Sequence, residues 1–509
     1  MAAAPREQAY DVVVVGGGIG GLSAAAMLAS AGRSVLVVEQ GEKPGGYAHA
    51  FKRDGYTLDP AISVFPQGHD HALPVAVLEH LGVRDRCRFV PLESNYKAVF
   101  PDFEIETPFD LDGFTAVHQE AFPDEADRIP EFFSLCRTLH KQAHELPPQL
   151  GLGGLDEAAR RFPVLFKYLK SSTQEALDEH FSDPLLKAVA GVSWPYLGVP
   201  PSKLSFVTFS TVLSVYLEGC FYPDGGFQML ADAFVAGMED AGGELVLGRR
   251  VERIVVDGER AAGVELDGGD VVRAERVVSN ADATATFESM VGEEHLPASF
   301  LKRLRRMKPS LSAVIVFVGT SLDLRATGAV HETFRALHVD HDDTWEDIQA
   351  GKPGGMFGTV PTLASPSLAP EGEHLLIVRS LAPYDIGRPW DEAAEDYTRV
   401  VLDSYERVFP GLRESVTFLE TATPQALERH SLNRNGAAYG WENVPSQTGG
   451  KRSPHITPLP GLFLSGHWTQ PGTGSLRALV SGLHTAQLVL RDMGLPGITF
   501  DHPDFPPAG

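Results

Sequence analysis

The chain has 509 residues and a formal net charge of −24, with 43% hydrophobic and 22% charged residues, a composition typical of a folded protein. A chain of this length exceeds what one hydrophobic core usually supports, so two or more domains are expected. The large negative charge argues against nucleic-acid binding and against attachment to anionic lipid through a basic surface.

The cysteine content and the hydropathy pattern indicate a cytoplasmic protein. The three cysteines are far apart and form no C-x-x-C pair, which argues against a disulfide scaffold and against a cysteine metal site. The first ten residues lack the apolar core of a signal peptide. The most apolar internal run, Leu204–Leu217, is too short to cross a bilayer, which leaves a peripheral membrane contact open. No metal site is predicted, because the histidine pairs lack a third ligand.

Residues 11–39 predict a βαβ unit with a nucleotide-binding turn. Strands are predicted over Val12–Val15 and Ser34–Val38, with a helix over Leu22–Ala31 between them. The glycines between the first strand and the helix fit G-x-G-x-x-G, a pattern that holds a pyrophosphate at a helix N-terminus. They are Gly16, Gly18 and Gly21, with Gly20 inside the pattern. Glu39 at the tip of the second strand predicts a hydrogen-bond acceptor for a ribose.

A second glycine turn, a hairpin and a helix-rich segment follow. Gly45 and Gly46 form a turn where another backbone approach to a phosphate is useful, and residues 51–59 predict a hairpin that turns at Asp54-Gly55. Helices are predicted over Ile129–Glu145, Leu155–Lys170, Ser172–Phe181, Pro184–Val192 and Ser202–Leu217.

Two later blocks show nucleotide-binding signals again. The first has a helix over Phe227–Ala241, after which five short strands indicate a small sheet that returns to the nucleotide domain. These strands are Glu244–Leu247, Val251–Asp257, Ala261–Leu266, Val271–Arg273 and Arg276–Ser279. Two central strands, Ser312–Gly319 and His374–Ser380, are predicted next. The last block has a buried strand, Leu462–Ser465, then Gly466, a glycine loop and a helix that begins near Ser475.

Three separated stretches carry a resemblance to one enzyme superfamily. They are the N-terminal fingerprint, the PDGG-helix-GGE-strand block that ends in SNAD, and the C-terminal block GLFLSGHWTQPGTG. Together with Leu177–Asp183 and Asn433–Pro445, they resemble the FAD-dependent amine oxidoreductase-like superfamily. Within it, they are similar to the branch of bacterial phytoene desaturases, carotenoid cis–trans isomerases and retinol saturases. The resemblance covers nearly the whole chain.

The resemblance implies an α/β fold with a discontinuous Rossmann-type FAD-binding domain and a mixed α+β substrate domain. The FAD-binding domain is expected from residues 1–72, 222–287 and 455–509. The substrate domain is expected from residues 73–221, a helix-rich insert, and residues 288–454.

The family pattern also implies positions for the parts of FAD. The pyrophosphate is expected at the fingerprint glycines, the adenosine ribose at Glu39 and the adenine at the backbone of Val251. The phosphates or the ribityl chain are expected near Gly45 and Gly46. The flavin is expected along Gly466, Gly472, Thr473, Gly474 and Ser475. Relatives commonly carry an arginine directly after the second glycine pair, whereas this chain has Tyr47, so an arginine–phosphate contact there is in doubt.

The candidate catalytic and substrate residues are aromatic or imidazole side chains. His467 and Trp468 are the candidates for catalysis, because they follow the strand that meets the flavin. Several aromatic residues of the inserts are candidates for an apolar substrate channel, with ordinary core packing as the alternative for each. They are Trp194, Phe209, Tyr439 and Trp441, together with Phe162, Phe166, Tyr196, Phe206 and Tyr216.

The resemblance implies an FAD-dependent oxidoreductase that acts on a long apolar polyene or isoprenoid, free or tethered to a biosynthetic carrier. Carbon–carbon desaturation is the first expectation. Saturation and redox-neutral cis–trans isomerisation use the same architecture and stay open. A flavin amine oxidase or a protoporphyrinogen-oxidase-like enzyme shares the FAD blocks. Prenylated-GTPase dissociation inhibitors share the fold without FAD, but the intact fingerprint with Glu39 argues against that function.

The electrons are expected to be exchanged with an external partner. No second G-x-G-x-x-G follows a predicted strand, and Gly151–Gly154 is interpreted as a loop. A dedicated NAD(P)H domain is therefore not expected. Electrons would leave to oxygen or a quinone, or arrive from a separate donor.

Overall fold

The computed structural model describes residues 9–146, 154–500, 502–503 and 505. The first eight residues and most of the predicted loop at Gly151–Gly154 lie outside the described residues. The strands, in chain order, are β1 (Ala9–Val15), β2 (Val35–Val38), β3 (Phe51–Arg53), β4 (Tyr56–Leu58), β5 (Phe65–Pro66), β6 (Phe89–Pro91), β7 (Tyr96–Val99), β8 (Glu104–Thr107), β9 (Cys220–Pro223), β10 (Glu244–Val246), β11 (Val251–Asp257), β12 (Arg260–Leu266), β13 (Val271–Ser279), β14 (Ser312–Thr320), β15 (Glu332–Arg335), β16 (Met356–Thr359), β17 (His374–Ala382), β18 (Val416–Ala422) and β19 (Leu462–Leu464).

The α-helices surround these strands. In chain order they are α1 (Ile19–Ser30), α2 (Leu73–His80), α3 (Leu111–Ala121), α4 (Ile129–Glu145), α5 (Gly154–Arg161), α6 (Pro163–Tyr168), α7 (Thr173–His180), α8 (Pro184–Ala190), α9 (Phe206–Leu217), α10 (Gln228–Asp240), α11 (Ala298–Leu304), α12 (His341–Gln349), α13 (Trp390–Glu406), α14 (Pro424–Ser431) and α15 (Ser475–Asp492).

The first large sheet combines strands from the two ends and the middle of the chain. Its order is β10-β2-β1-β13-β12-β11, and β19 also pairs with β13. Strands β10, β2, β1, β13 and β19 are paired in parallel. Strand β12 pairs antiparallel with both β13 and β11. Helix α1 can pack closely against α15 because Gly482 has no side chain. A Cβ atom at Gly482 would lie only 2.5 Å from the Gly20 carbonyl oxygen.

The second large sheet has the order β18-β14-β17-β16-β15-β7-β8 and is antiparallel except for the β7–β15 pair. The predicted strands at Ser312 and His374 are confirmed as its central pair, β14 and β17. Helices α4, α6 and α9 form an aromatic-rich core beside this sheet. The predicted hairpin at residues 51–59 is confirmed as β3 and β4.

Four details differ from the sequence-based prediction. The strands predicted at Val271–Arg273 and Arg276–Ser279 are one continuous strand, and β10–β13 join the main sheet instead of forming a separate small one. The helix predicted over Leu155–Lys170 is two helices. Phe162 leaves the helical conformation before Pro163, which opens α6 because proline suits the first turn of a helix. Helix α9 begins four residues later than predicted, because the Ser205 side chain accepts from the Thr208 amide and caps it.

Two further observations concern membranes and metals. No helix within the described part of the chain is long and apolar enough to cross a membrane. In the same residues, no group of three or more His, Cys, Asp or Glu side chains is arranged to hold a metal ion. The three cysteines are buried as free thiols.

Candidate functional site

The candidate site lies where parallel strands of the first sheet end together. Strands β1, β2, β13 and β19 run in one direction, so the residues that follow them meet at one edge. These residues include Gly16, Glu39, Asn280 and Gly466, and all four line a cavity of about 610 Å³. A volume of this size is usual for small-molecule and cofactor sites. Three segments that are distant in the sequence thus build one site.

The glycine turns form a narrow cradle at the N-terminus of α1. The Gly45 amide donates to the Gly17 carbonyl at 2.7 Å, and a Cβ atom at Gly46 would lie 3.1 Å from the Gly18 Cα atom. A Cβ atom at Gly18 would lie 2.6 Å from the Asn280 amide nitrogen. No side chain caps α1 at Gly18, so the N–H groups of its first turn are available to an anion. The cradle therefore fits a pyrophosphate.

The other fingerprint glycines permit close packing of the backbone. A Cβ atom at Gly20 would lie 2.6 Å from the Gly466 Cα atom, so α1 and the end of β19 touch at this point. A Cβ atom at Gly21 would lie 2.3 Å from the Gly16 carbonyl oxygen. Gly20 lines the cavity, whereas Gly21 lies behind its wall and allows the helix to pack on the strand.

Glu39 is held in place by two backbone amides. Its two carboxylate oxygens accept from the Gly17 and Gly41 amides, each at 2.7 Å. A carboxylate has about four acceptor positions, so capacity for two hydroxyl groups remains. Val251 lines the same end of the cavity and begins β11. The predicted ribose and adenine residues are therefore adjacent to the pyrophosphate cradle.

The loop before α15 forms the opposite wall. Thr473, Gly474 and Ser475 line the cavity, and α15 begins at Ser475, directly after Gly474, without a side-chain cap. A second uncapped helix N-terminus thus faces the cavity, where it suits the electron-rich edge of a flavin ring. Gly472 lies behind this wall, and a Cβ atom there would lie 3.5 Å from the Arg477 guanidinium.

Arg452 organises this wall and was missed by the sequence-based reasoning. It is almost fully buried and donates to the carbonyls of Tyr439 and His467, at 3.2 and 2.8 Å, and to the Thr473 hydroxyl at 3.3 Å. It therefore ties three cavity-lining segments together. Burial, with the nearby Arg477, lowers the pKa of Arg452 to about 9, and at this value the guanidinium stays charged at neutral pH.

The two candidate catalytic residues differ in position. His467 lines the cavity, with its ring 5.9 Å from the Tyr47 ring. Burial and the Arg452 charge lower the pKa of His467 to about 3, so the ring is neutral at pH 7 and a poor proton acceptor. Trp468 lies outside the cavity wall, where its indole N–H donates to Asn433 Oδ1 at 2.8 Å. The structure thus brings only His467 to the cavity.

Aromatic side chains from the inserts form the remaining wall. The channel candidates Tyr196, Tyr216 and Tyr439 line the cavity, together with Phe357, which was not predicted. The Tyr196 ring contacts Tyr216 and Phe357, with centroid distances of 5.7 and 5.0 Å. Phe357 belongs to β16 of the second sheet. The cavity therefore extends from the nucleotide-binding edge of one sheet to a face of the other.

Five channel candidates lie in the core instead, and two of them, Phe162 and Phe206, are at most about 2% exposed and absent from the cavity wall. Trp194, Phe209 and Trp441 are each about 1% exposed and are absent from the cavity wall. The Trp194 indole N–H donates to His341 Nδ1 at 3.0 Å, and that of Trp441 donates to the Trp468 carbonyl at 2.9 Å. An internal acceptor satisfies the polar end of each indole, which allows full burial. For these five residues, core packing replaces the predicted channel role.

The whole-chain comparison decides the family. A family model described as flavin containing amine oxidoreductase matches residues 19–490. The chain belongs to this family.

The similar curated proteins come from the branch indicated by the sequence. Prolycopene isomerase of Daucus carota is 27% identical over 96% of this chain and 81% of its own length. Phytoene desaturase (neurosporene-forming) of Rhodobacter capsulatus is 26% identical over 94% and 93% of the two chains. All-trans-retinol 13,14-reductase of Danio rerio is 24% identical over 90% and 82%. The resemblance stated from the sequence is thus confirmed.

A solved structure also supports the fold. Cyclohexylamine oxidase from Brevibacterium oxydans superposes with a TM-score of 0.63 at 18% identity, and covers 95% of this chain and 99% of its own. The α/β fold with an FAD-binding architecture is confirmed. The chain is an FAD-dependent oxidoreductase. Two uncapped helix N-termini, a glycine cradle and an anchored carboxylate around one cavity fit this cofactor.

Proposed function

We propose that this flavoprotein desaturates a carbon–carbon bond of a long apolar polyene or isoprenoid of the carotenoid type. The observation that carries the proposal is the continuity of the cavity, from the cofactor cradle to a wall of Tyr196, Tyr216, Phe357 and Tyr439. Such a substrate offers few polar groups, so shape and aromatic contact must position it. Relatives named for phytoene, prolycopene and retinol support this substrate class.

The protein residues supply position and electrostatics for the reaction. FAD, when bound, supplies an acceptor for the hydride that leaves the substrate. Gly18, Gly45 and Gly46 would hold its pyrophosphate, Glu39 its ribose, and Thr473–Ser475 would lie along the flavin. Arg452 fixes the flavin-side wall, and the buried aromatic face excludes water from the reacting carbons. The substrate is free or tethered to a carrier, a peripheral membrane contact delivers it, and an external acceptor or donor exchanges the electrons.

Redox-neutral cis–trans isomerisation is the second candidate, because four of the similar proteins are prolycopene isomerases at 27 or 28% identity. Saturation is a third, since a retinol 13,14-reductase is similar as well. Amine oxidation rests on the description of the family as a whole and on likeness of fold. All four reactions require the same cofactor cradle, so the product must separate them.

The deciding experiment is the mass and the absorption spectrum of the product. FAD-loaded protein is incubated with phytoene, prolycopene and all-trans-retinol, with oxidised flavin in air and with reduced flavin without air. Loss of two hydrogens with oxidised flavin is the expected result. A gain of two hydrogens indicates a saturase, and a shifted spectrum at unchanged mass an isomerase. Turnover of amines with peroxide release, without turnover of any polyene, would overturn the proposal.

A further inference from the structure

One face of the second sheet carries an ionisable group close to the cavity. Glu332 on β15 pairs with Thr359 on β16, and the neighbouring pair on the same face is Phe334 with Phe357. The Tyr196 ring packs on this face, with its centroid 4.8 Å from Phe334 and 5.0 Å from Phe357. The sheet therefore presents a carboxyl group directly behind an aromatic part of the cavity wall.

Glu332 is separated from the cavity by hydroxyl groups. The hydroxyls of Tyr196 and Ser63 lie beside its carboxyl and lower its pKa. The Ser63 hydroxyl donates to the Tyr196 hydroxyl at 3.5 Å, and both residues line the cavity. The Thr359 hydroxyl donates to the Glu332 carboxyl, at 3.3 Å. Glu332 itself is about 1% exposed and is absent from the wall. Two hydroxyl groups thus lie between a buried acid and the place where the substrate is expected.

The environment of Glu332 allows it to change protonation near neutral pH. Burial raises the pKa of Glu332 to about 7, against the opposing effect of the Arg379 charge and of its hydrogen bonds. Arg379 donates to the carbonyls of residues 59, 60 and 62 and to Thr359, which fixes its position beside the acid. The other ionisable groups that face Glu332 are Tyr196, Tyr216, Cys220, Tyr405 and Tyr439.

We propose that Tyr196 is the catalytic residue that exchanges a proton with a substrate carbon, and that Glu332 is the positioning residue that takes up or supplies this proton through the Tyr196 hydroxyl. The proposal rests on the proposed function and deepens it. His467 does not compete for this role, because its ring stays neutral at pH 7 and has little affinity for a proton.

The proton and electron balance is simple in each direction. In desaturation, one C–H bond loses a hydride to oxidised FAD, and the neighbouring carbon loses a proton to the Tyr196 oxygen. Tyr196 passes its own proton to the Glu332 carboxylate, and the electron pair of the second C–H bond forms the new C=C bond. Saturation reverses these transfers with reduced FAD. In isomerisation, the proton is added to the polyene and removed again, without net oxidation.

The test compares four variants, of which two remove a proton-transfer group, one is a control and one, Glu332→Asp, restores the carboxyl group. Tyr196→Phe and Glu332→Gln each remove one proton-transfer group with almost no change in volume. Tyr397→Phe is the control, since its buried hydroxyl has no hydrogen-bond partner among the described residues and lies on α13, away from the cavity. Each protein is loaded with FAD, its flavin content is measured, and the single-turnover rate on the polyene that the wild type converts is followed against pH.

We expect equal flavin content in all proteins and a rate loss of about 10²–10⁴-fold for Tyr196→Phe and for Glu332→Gln. Glu332→Gln should also lose the ionisation near pH 7 from the rate profile, whereas Glu332→Asp should restore part of the rate, and the Tyr397→Phe rate should match the wild type. Rates of Tyr196→Phe and Glu332→Gln within about threefold of the wild type would overturn the proposal.

A second measurement does not depend on turnover. The infrared difference spectrum of wild type minus Glu332→Gln should show a protonated carboxyl band at about pH 5 that is lost by about pH 9. The band should shift in Tyr196→Phe, because the hydroxyl group beside the carboxyl is removed. If no polyene is converted but this band behaves as expected, the proposed function fails while the pair of Tyr196 and Glu332 stands. A missing band, or one that Tyr196→Phe leaves unchanged, overturns the pair itself.

Discussion

Replacing Glu39 by alanine should weaken FAD binding and destabilise the apoprotein at the same time. In the structure, the Glu39 carboxylate accepts from the Gly17 and Gly41 amides, each at 2.7 Å. The same carboxylate is expected to accept two ribose hydroxyls of bound FAD. Alanine removes all four hydrogen bonds, two of which exist without the cofactor. The two effects can therefore be measured separately.

The magnitudes follow from these contacts. Hydrogen bonds to a charged group contribute about 1.5–3 kcal/mol, and the ribose hydroxyls regain water partners when the carboxylate is removed. We expect a loss of about 2 kcal/mol in the free energy of FAD binding, which corresponds to a roughly 30-fold higher Kd. The two partly buried amides lose an acceptor in the apoprotein, which costs about 1 kcal/mol each, or about 2 kcal/mol of unfolding free energy.

The assay is a fluorescence titration of apoprotein with FAD, together with urea unfolding of the apoprotein. Glu39→Gln serves as the matched variant, because it keeps the length and one acceptor oxygen but not the charge. Its Kd should lie between those of the wild type and the alanine variant. A Kd for Glu39→Ala within about threefold of the wild type would refute the ribose assignment, and unchanged stability would refute the role of the two amides.

Three further outcomes are expected. Gly18→Val should purify without FAD, because its Cβ atom alone would lie 2.6 Å from the Asn280 amide nitrogen; full flavin absorbance would contradict the cradle. Burial raises the pKa of Glu332 from 4.5 to about 7, so ionisation of this group lowers stability as pH rises through that window. At about 1.4 kcal/mol per unit over about 2.5 units, the full effect is about 3.5 kcal/mol, and the unfolding free energy of Glu332→Gln should gain about 3 kcal/mol of it relative to the wild type between about pH 4.5 and about pH 7.5; a difference independent of pH would argue against this account. Burial raises the pKa of Cys136 to about 12, so iodoacetamide should modify it only after unfolding, and rapid labelling of the native protein would show that the thiol is accessible.

The cofactor cradle could be predicted from the sequence because its geometry is local. Three spaced glycines between a strand and a helix dictate the turn at Gly18, and Glu39 follows the next strand directly. Predicted residues from all three blocks line one cavity, with Gly21 and Gly472 behind its wall. The position of Asn280 in the site could have been predicted in the same way, because Asn280 also follows a parallel strand that ends at this edge.

The substrate wall was not accessible in this way, because long-range packing decides which aromatic residues face it. Trp194 and Tyr196 are two residues apart in one turn, yet Trp194 points into the core and Tyr196 lines the cavity. Glu332 carries no local motif at all. Its position behind Tyr196 depends on the pairing of β15 with β16 and on the packing of a turn more than a hundred residues earlier.

The pairing of β13 with β19 sets an order of events during synthesis. The fingerprint turn forms from the first fifty residues, but the strand and the helix that close the flavin side belong to the last fifty. Until β19 and α15 have been synthesised and have packed, the nucleotide sheet therefore lacks one of its parallel strands, and α1 lacks the helix that covers it. FAD can be enclosed only once these two elements are in place. Loss of the C-terminal segment would leave a protein that carries its whole fingerprint yet has no closed place for the cofactor.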